Sequence, residues 1–222
     1  MSREFSIEMP ASEELIRQLR VGDTVYLSGT LCTLRDMGHR RAVDALARGE
    51  ELPFDLAAGG LWHSGPITRQ EGGRWRILSA GPTTSSRFTP LGAQLIRQLG
   101  IRVIVGKGTM GLEAMAALKE VGGCFLNSTG GCAVLYANQV EEVVAVHWLD
   151  LGEPEAAWVV KVRDMGPLVV GIDSAGGSLF AEMRSRTAPN LAQIYQETGL
   201  EPAQKLAYLP KRVAASGQPS PR

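Results

Sequence analysis

The stretch Ser79-Ala80-Gly81-Pro82-Thr83-Thr84-Ser85-Ser86-Arg87 places a Gly-Pro turn, four consecutive hydroxyl side chains and an arginine within nine residues. Glycine and proline together restrict the backbone to a sharp path. Thr89-Pro90 follows at once, a pair that predicts the N-cap and first position of a helix. The hydroxyls and Arg87 are therefore expected on a loop that leads to a helix N-terminus, an arrangement that favours anions. Taken alone, the stretch is equally compatible with a Ser/Thr-rich surface turn.

Other glycine-rich and charged segments flank this stretch on both sides. They are Gly22–Leu31, Thr33-Leu34-Arg35-Asp36, Trp62-His63-Ser64-Gly65-Pro66, Val105-Gly106-Lys107-Gly108, Gly130-Gly131-Cys132-Ala133, Val146-His147-Trp148 and Pro167–Asp173. In this order and at these spacings, the chain resembles the beta subunit of the iron–sulfur hydro-lyases, which are the L(+)-tartrate dehydratases and the two-subunit class I fumarases. The resemblance covers residues 21–181. The turns at 62–66 and 146–148 favour the tartrate dehydratases.

The pattern of apolar residues predicts alternating helices and strands. Helices are expected over 13–20, 36–48, 90–99, 112–121 and 188–198, and strands over 24–30, 101–105, 124–126, 143–148, 158–162 and 168–172. Residues 51–73 are expected to be irregular, with short strands. This mixed order predicts an α/β or α+β fold. The resemblance implies a swivelling β/β/α domain, as in the C-terminal domain of class I fumarases.

We expect three segments: an N-terminal helical extension over residues 1–20, a catalytic domain over 21–200, and a partly disordered tail over 201–222 that is rich in Ser, Gly and Pro. The 222 residues carry 23 basic and 23 acidic side chains, so the net charge is zero. A neutral chain argues against bulk attraction to nucleic acid or membranes. No apolar run approaches the roughly 20 residues of a membrane span, and the N-terminus lacks a secretory pattern, which predicts a cytoplasmic protein.

The cysteines, Cys32, Cys124 and Cys132, lack the CxxC spacing of a metal or redox motif. Three scattered thiols are a poor set for an iron–sulfur cluster, and buried structural thiols are the simpler interpretation. The resemblance implies a [4Fe–4S] cluster on a separate alpha subunit, with one iron acting as a Lewis acid on the departing hydroxyl. It also implies a hetero-oligomer, such as a heterotetramer, with an active site between the subunits.

Arg35, Arg87 and Lys107 are the candidate substrate-binding cations. A C4 dicarboxylate carries two negative charges, and the planar fork of arginine binds a carboxylate bidentately. Lys107 lies between two glycines that allow a ligand to approach the backbone closely. The alternatives are an ion pair of Arg35 with a nearby acid such as Asp36 and a plain surface role for Arg87. A phosphate-binding loop is excluded because the glycine spacing before Lys107 does not match.

Thr83 and His39 complete the candidate site. The resemblance implies that Thr83, the first threonine of Gly-Pro-Thr-Thr, is the catalytic base and acts as an alkoxide. Only strong positive charge nearby makes such an anion available at neutral pH. The alternative is that Thr83 merely caps the turn. His39 lies one helical turn after Arg35, so both are expected to face one cleft, where His39 orients a substrate group or a neighbouring acid. A helix-surface histidine paired with an acid is equally compatible.

These residues predict a hydro-lyase subunit that converts L(+)-tartrate to oxaloacetate together with its alpha subunit. The near alternative is a class I fumarase beta subunit acting on malate and fumarate. A different class of function is a non-catalytic dicarboxylate-binding module with the same fold. Thr83 argues against that module, because a pure binder has no need of a base.

Overall fold

One long strand, β2, organises the sheet by pairing with three others. The computed structural model describes residues 2–199. The strands are β1 (Glu4–Glu8), β2 (Thr24–Thr33), β3 (Gly60–Trp62), β4 (Ile67–Glu71), β5 (Arg74–Ser79), β6 (Val103–Gly106), β7 (Cys124–Asn127), β8 (Val140–His147) and β9 (Ala157–Ile172). The helices are α1 (Glu13–Gln18), α2 (Asp36–Ala47), α3 (Thr89–Leu99), α4 (Leu112–Val121), α5 (Ala133–Asn138) and α6 (Leu179–Thr198). Short 3-10 turns cover Ser85–Phe88 and Leu149–Leu151.

Strand pairing closes the main sheet on itself. Strands β2, β3, β6 and β7 are parallel neighbours, and β9 runs antiparallel to both β7 and β2. Strand β1 extends the sheet beside the first half of β2, and β8 extends it beside the first half of β9. Strands β4 and β5 form a separate hairpin. The four parallel strands therefore bring their carboxyl ends to one edge.

Alternate side chains of the central strands enter two different hydrophobic cores. In β6, Val103 and Val105 lie in the core enclosed by the closed sheet, whereas Ile104 lies in the core beneath the helices. The same alternation holds in neighbouring strands because successive side chains point to opposite faces. The helix-side core takes its helical residues from α2, α3 and α4, including Ala42, Leu95, Ile96, Ala114 and Leu118.

Helix ends follow the local sequence signals. The Ser12 hydroxyl accepts a hydrogen bond from the Leu15 amide at 3.2 Å and caps α1. Gly100 and Gly122 end α3 and α4 in the left-handed region, at φ of 68° and 69°, where a side chain is disfavoured. The prediction that Thr89 caps α3 was wrong. Thr89 is the first residue of that helix, and its hydroxyl accepts a hydrogen bond from the Gly111 amide at 2.9 Å.

The sequence prediction missed some elements. The apolar patterns correctly predicted β2, β6, β7, α2, α3 and α4 to within a few residues. Residues 157–172 form a single 16-residue strand in place of the two predicted, because the interruption at Asp164 bends the strand without ending it. Strand β1 and helix α5 were not predicted. Residues 1–20, expected as a helical extension, thus also contain a strand that pairs with β2.

The chain divides into two compact units, Met1–Phe180 and Ala181–Arg222. Of the second unit, the structure describes residues 181–199, which are helical to Thr198 with Pro189 inside the helix. The predicted tail at 201–222 lies outside the described residues. Within residues 2–199, no helix combines the length and the hydropathy that a membrane crossing demands.

Candidate active site

The candidate site lies at the edge where the parallel strands end. Arg35 follows β2, His63 follows β3, Lys107 follows β6 and Ser128 follows β7. The register of these strands places their ends side by side. Ligands of parallel α/β sheets bind at the carboxyl ends of the strands. The edge is therefore the natural position for a ligand site.

Main-chain hydrogen bonds connect the turn that carries Thr83 to the ends of two of these strands, β3 and β6. The Thr83 amide donates to the His63 carbonyl at 2.7 Å, and the Lys107 amide donates to the Thr83 carbonyl at 3.3 Å. The Ser85 amide donates to the Lys107 carbonyl at 3.0 Å. On the other side, the Ser64 hydroxyl donates to the Gly81 carbonyl at 3.0 Å. The structure therefore brings Thr83 and Lys107 together through their backbones.

The side chains of Thr83 and Lys107 are both half-buried. Among residues 2–199, the Thr83 hydroxyl makes no hydrogen bond to another side chain or backbone group, so it is free to meet a ligand. The Lys107 side chain runs along Gly130, where a Cβ atom would come within 3.1 Å of the lysine Cδ and 4.0 Å of its Nζ. The glycine pair at 130–131 thus leaves room for the lysine.

Arg35 precedes α2 and packs against the turn after β3. A Cβ atom at Gly65 would lie 2.5 Å from the Arg35 Cδ, so only glycine allows this packing. The Arg35 Nε lies 3.4 Å from the Glu155 Oε1, and the Glu155 Oε2 accepts a hydrogen bond from the Met37 amide at 2.8 Å. The Arg35 side chain is 28% exposed. It is therefore a partly buried cation with one acidic neighbour.

Arg87 lies on the 3-10 turn directly after Thr83. Its side chain is 47% exposed, and its Nη2 donates to the Asp36 Oδ2 at 2.8 Å. Its guanidinium also lies 5.5 Å above the centre of the Phe88 ring. Asp36 adjoins Arg35 in the chain, but the Arg35 guanidinium pairs with a different acid, Glu155. Each of the two arginines therefore engages a carboxylate of its own, which is the type of group that a guanidinium binds well.

His39 is fully buried beneath Arg35. Its Nδ1 donates to the Arg35 carbonyl at 2.8 Å, since a carbonyl oxygen only accepts. Its ring stacks on Phe88, with centroids 4.5 Å apart. Burial lowers the pKa of His39 to about 4, so the ring is neutral at pH 7. The sequence correctly placed His39 beside Arg35, but the ring lies under the surface of the site and does not line an open cleft.

His63 was not among the candidate site residues selected from the sequence. Its Nδ1 lies 2.8 Å from the Ser85 Oγ, and its ring packs 4.7 Å from Phe88 and 5.1 Å from His39. Burial, and to a lesser extent His39, hold the pKa of His63 well below its ordinary value. The sequence signal that could have identified His63 as a site residue was its position in the Trp62–Pro66 turn, directly after a buried strand.

The cysteines of this chain do not fit an iron–sulfur cluster. Cys32 belongs to the helix-side core and Cys124 to the core inside the sheet, so their thiols do not converge. Burial raises the pKa of both thiols, that of Cys124 to about 12, whereas a cluster ligand is a thiolate. Within residues 2–199, no three His, Cys, Asp or Glu side chains are grouped as metal ligands. The chemistry that this site supports is the binding of an anion beside a free hydroxyl.

Comparison with known proteins extends these observations. The family described as "Fumarase C-terminus" matches residues 1–183. The chain is 42% identical over 188 residues to the "L(+)-tartrate dehydratase subunit beta" of Escherichia coli K12, covering 85% of this chain and 92% of the relative. It is 39% identical over 180 residues to the "Putative L(+)-tartrate dehydratase subunit beta" of Methanocaldococcus jannaschii, covering 81% and 92%. It is also 39% identical over 192 residues to the "Putative fumarate hydratase class I" of Geobacillus stearothermophilus, covering 86% of this chain but 36% of that relative.

Proposed function

The chain belongs to the Fumarase C-terminus family, and on that premise we propose that it is the beta subunit of an L(+)-tartrate dehydratase. This hydro-lyase removes water from L(+)-tartrate and yields oxaloacetate through its enol. The observation that carries the proposal is the pairing of the Thr83 turn with Lys107 at the strand ends, with Arg87 on the 3-10 turn that continues from Thr83. Arg35 follows the neighbouring strand β2. A free hydroxyl and three cations are what dehydration of a dicarboxylate demands of this chain.

Substrate binding is assigned to the cations. Arg35 and Arg87 each hold a carboxylate group of the substrate, because a guanidinium engages both oxygens at once. Lys107 adds a third positive charge beside Thr83. As the substrate loses its carbon-bound proton, negative charge spreads onto the adjacent carboxylate, and fixed cations stabilise it. His39 supports the backbone of Arg35 from below.

Thr83 is assigned as the base. Its alkoxide takes the proton from the substrate carbon, the carbon–oxygen bond breaks with its electron pair on the departing oxygen, and a carbon–carbon double bond forms. The nearby charges of Lys107 and Arg87 favour the anion of the Thr83 hydroxyl. The main-chain bonds of Thr83 hold the oxygen in place, which is the requirement for efficient proton transfer.

We assign the [4Fe–4S] cluster to an alpha subunit, because the thiols of this chain do not suit a cluster. The name "subunit beta" of two relatives supports a partner chain. The fumarate hydratase relative supports it too, since this chain matches only 36% of that longer protein. A hetero-oligomer such as a heterotetramer follows from this assignment.

Exposed apolar side chains near the site segments in sequence support a partner chain. Five large apolar side chains lie within a few residues of these segments and are about half exposed or more: Met37, Ile67, Leu112, Val134 and Leu135. Exposed apolar residues of this kind are typical of a protein interface. Leu112→Asp is therefore expected to weaken capture of the alpha subunit at least tenfold. The matched change Val144→Asp, at an exposed position of strand β8, should leave capture unchanged.

Finer features of the fold also belong to this proposal. The closed sheet with helices α2, α3 and α4 packed on one side supports the swivelling β/β/α arrangement. The catalytic domain over 21–200, the tail over 201–222 and a cytoplasmic location remain proposals from the sequence.

The deciding experiment is a substrate comparison in the assembled enzyme. The chain is co-expressed with the alpha subunit, the cluster is reconstituted without oxygen, and L(+)-tartrate, malate and mesaconate are assayed side by side. We expect the highest kcat/KM with tartrate. A preference for malate would establish the second candidate, a class I fumarase, which the Geobacillus relative favours. If a cluster-loaded complex turned over none of the three acids, that result would favour the third function, a non-catalytic dicarboxylate-binding module.

A control in the same experiment is the chain alone. After anaerobic reconstitution, iron and sulfide analysis should find far less than one cluster per chain. A stoichiometric cluster on the lone chain would overturn the assignment to the alpha subunit.

A further inference from the structure

Besides its main-chain bonds and the Ser64 contact, the turn that carries Thr83 is tied to the fold by a buried contact of the Ser85 side chain. The Ser85 Oγ lies 2.8 Å from the His63 Nδ1 and 3.4 Å from the Thr83 carbonyl. Both His63 and Ser85 are fully buried. The contact therefore lies directly beneath the residue to which the proposed function assigns the base.

The tautomer of His63 follows from the surroundings of its two ring nitrogens. The Nε2 atom is buried and has no hydrogen-bond partner among the described residues, whereas Nδ1 faces the Ser85 hydroxyl. A buried N–H without an acceptor is rarer and more costly than an unpaired acceptor. The proton of the neutral ring thus belongs on Nδ1. With this tautomer, His63 donates to Ser85, and the Ser85 hydroxyl proton is left for the Thr83 carbonyl.

Neighbouring residues leave His63 little freedom. Phe88 and His39 pack against its ring at 4.7 Å and 5.1 Å. On the other side, a Cβ atom at Gly106 would overlap the Ser85 Oγ and come within 3.1 Å of the His63 Nδ1. Only glycine at 106 therefore accommodates the pair. A contact enclosed in this way is able to fix the orientation of the turn.

We propose that His63 is a positioning residue, which donates its Nδ1–H to Ser85 and thereby holds the Thr83 turn in one orientation toward the substrate. This inference rests on the proposed function. His63 does not touch the substrate, and its ring stays neutral throughout the reaction. The same His63 also accepts the Thr83 amide hydrogen bond through its carbonyl, so backbone and side chain of one residue fix the turn from two directions.

Two isosteric changes separate this role from simple packing. In His63→Asn the side-chain amide takes the position of Nδ1 and still reaches Ser85, whereas in His63→Gln the amide takes the position of Nε2 and does not. In the assembled complex at saturating tartrate, His63→Asn should keep kcat within about fivefold, and His63→Gln should lose roughly 10- to 100-fold. KM should stay within about twofold in both, because the arginines are unchanged.

Ser85→Ala provides the second half of the test. It should lower kcat about as much as His63→Gln, and the double variant should be no worse than either single variant, because both remove the same contact. A primary deuterium isotope effect on kcat, measured with carbon-deuterated tartrate, should rise in His63→Gln and Ser85→Ala and stay unchanged in His63→Asn. Equal kcat for the Asn and Gln variants, or additive losses in the double variant, would overturn the proposal.

A spectroscopic readout keeps the inference testable even if the enzyme prefers another substrate. The chain contains three histidines, so nitrogen-15 histidine labelling of the full chain gives a simple imidazole spectrum. We expect His63 as the neutral Nδ1–H form at pH 7, with an Nδ1 signal that shifts in Ser85→Ala. An Nε2–H form or a protonated ring would overturn the positioning role. Absence of tartrate turnover in the wild-type complex would instead contradict the proposed function.

Discussion

The two halves of the candidate site are held in place by different forces. The half with Thr83 and Lys107 is fixed by main-chain hydrogen bonds between a turn and two strand ends. The half with Arg35 and Arg87 is held by ion pairs to Glu155 and Asp36, and the Arg87 pair is half exposed. Main-chain bonds persist when a ligand enters, but exposed ion pairs contribute little and exchange readily.

This difference suits the two tasks. A base must stay where the proton is, so it benefits from a rigid turn. A carboxylate-binding arginine must release one carboxylate to accept another. On the proposed function, a substrate carboxylate replaces the carboxylate of Asp36 on Arg87. The comparison therefore predicts larger effects in the first half and smaller effects in the second.

The largest effect is expected at Thr83. Thr83→Ala keeps both main-chain hydrogen bonds and removes the hydroxyl together with the γ-methyl group, so turnover should fall by roughly a thousandfold or more while the fold and KM change little. Thr83→Ser keeps the oxygen and should retain measurable turnover, reduced because its hydroxyl rotates more freely. The measurement is kcat of the reconstituted complex with cluster content checked. If alanine lowers kcat less than about tenfold and stability by about 1 kcal/mol, Thr83 only shapes the turn.

Arg87→Lys comes next in size. Lysine keeps the charge and loses the bidentate fork, so we expect a loss of roughly 2–4 kcal/mol in kcat/KM. Arg97→Lys is a matched control, because Arg97 is also about half exposed and paired with one acid, Glu120, at 2.6 Å. It should be near neutral. Similar small losses at both positions would show that Arg87 is an ordinary surface arginine.

The buried histidines beneath the site also predict acid sensitivity. The pKa of His39 is about 4 in the folded protein and about 6.5 in the unfolded chain, so the unfolded chain binds more protons between these values. Stability from His39 is present above pH 6.5 and falls by about 3 kcal/mol as pH drops to 4. The lowered pKa of His63 acts in the same direction.

Urea unfolding at pH 7, 5.5 and 4 measures this loss. His39→Asn preserves a donor to the Arg35 carbonyl and cannot titrate, so its stability should fall less steeply with acid than that of the wild-type protein. Parallel pH curves for the two proteins would show that His39 is accessible to protons in the folded state.

The smallest effect is expected at the counter-ion of the second half. Asp36→Asn frees Arg87 from its exposed partner, a pair worth about 0.2–1 kcal/mol, so KM for the dicarboxylate should fall by up to about fivefold with kcat unchanged. Glu120→Gln, at the Arg97 pair, should leave KM unchanged. A rise in KM for Asp36→Asn would mean that Asp36 is needed to aim Arg87, and the contrast between the two halves would then be weaker.

The sequence predicted the helices and strands where local rules dominate. Gly100 and Gly122 end their helices because glycine readily adopts the left-handed conformation of a helix C-terminus. The apolar run before Gly106 is typical of a buried strand. Strand β1 was missed and β9 was predicted as two shorter strands, because the extent of both depends on pairing with β2, a partner distant in sequence. Tertiary context overrides local strand preference in this way.

The sequence by itself also supplied the candidate site residues: Arg35, Arg87 and Lys107 from their charge and position, and Thr83 from the resemblance to the hydro-lyase family. The tertiary structure decided how they are held. It paired the arginines with Asp36 and Glu155, buried His39 beneath the site, and placed His63 against Ser85. Residue types and turn chemistry are local properties of the chain, whereas burial and hydrogen-bond partners arise only when distant strand ends meet at one edge of the sheet.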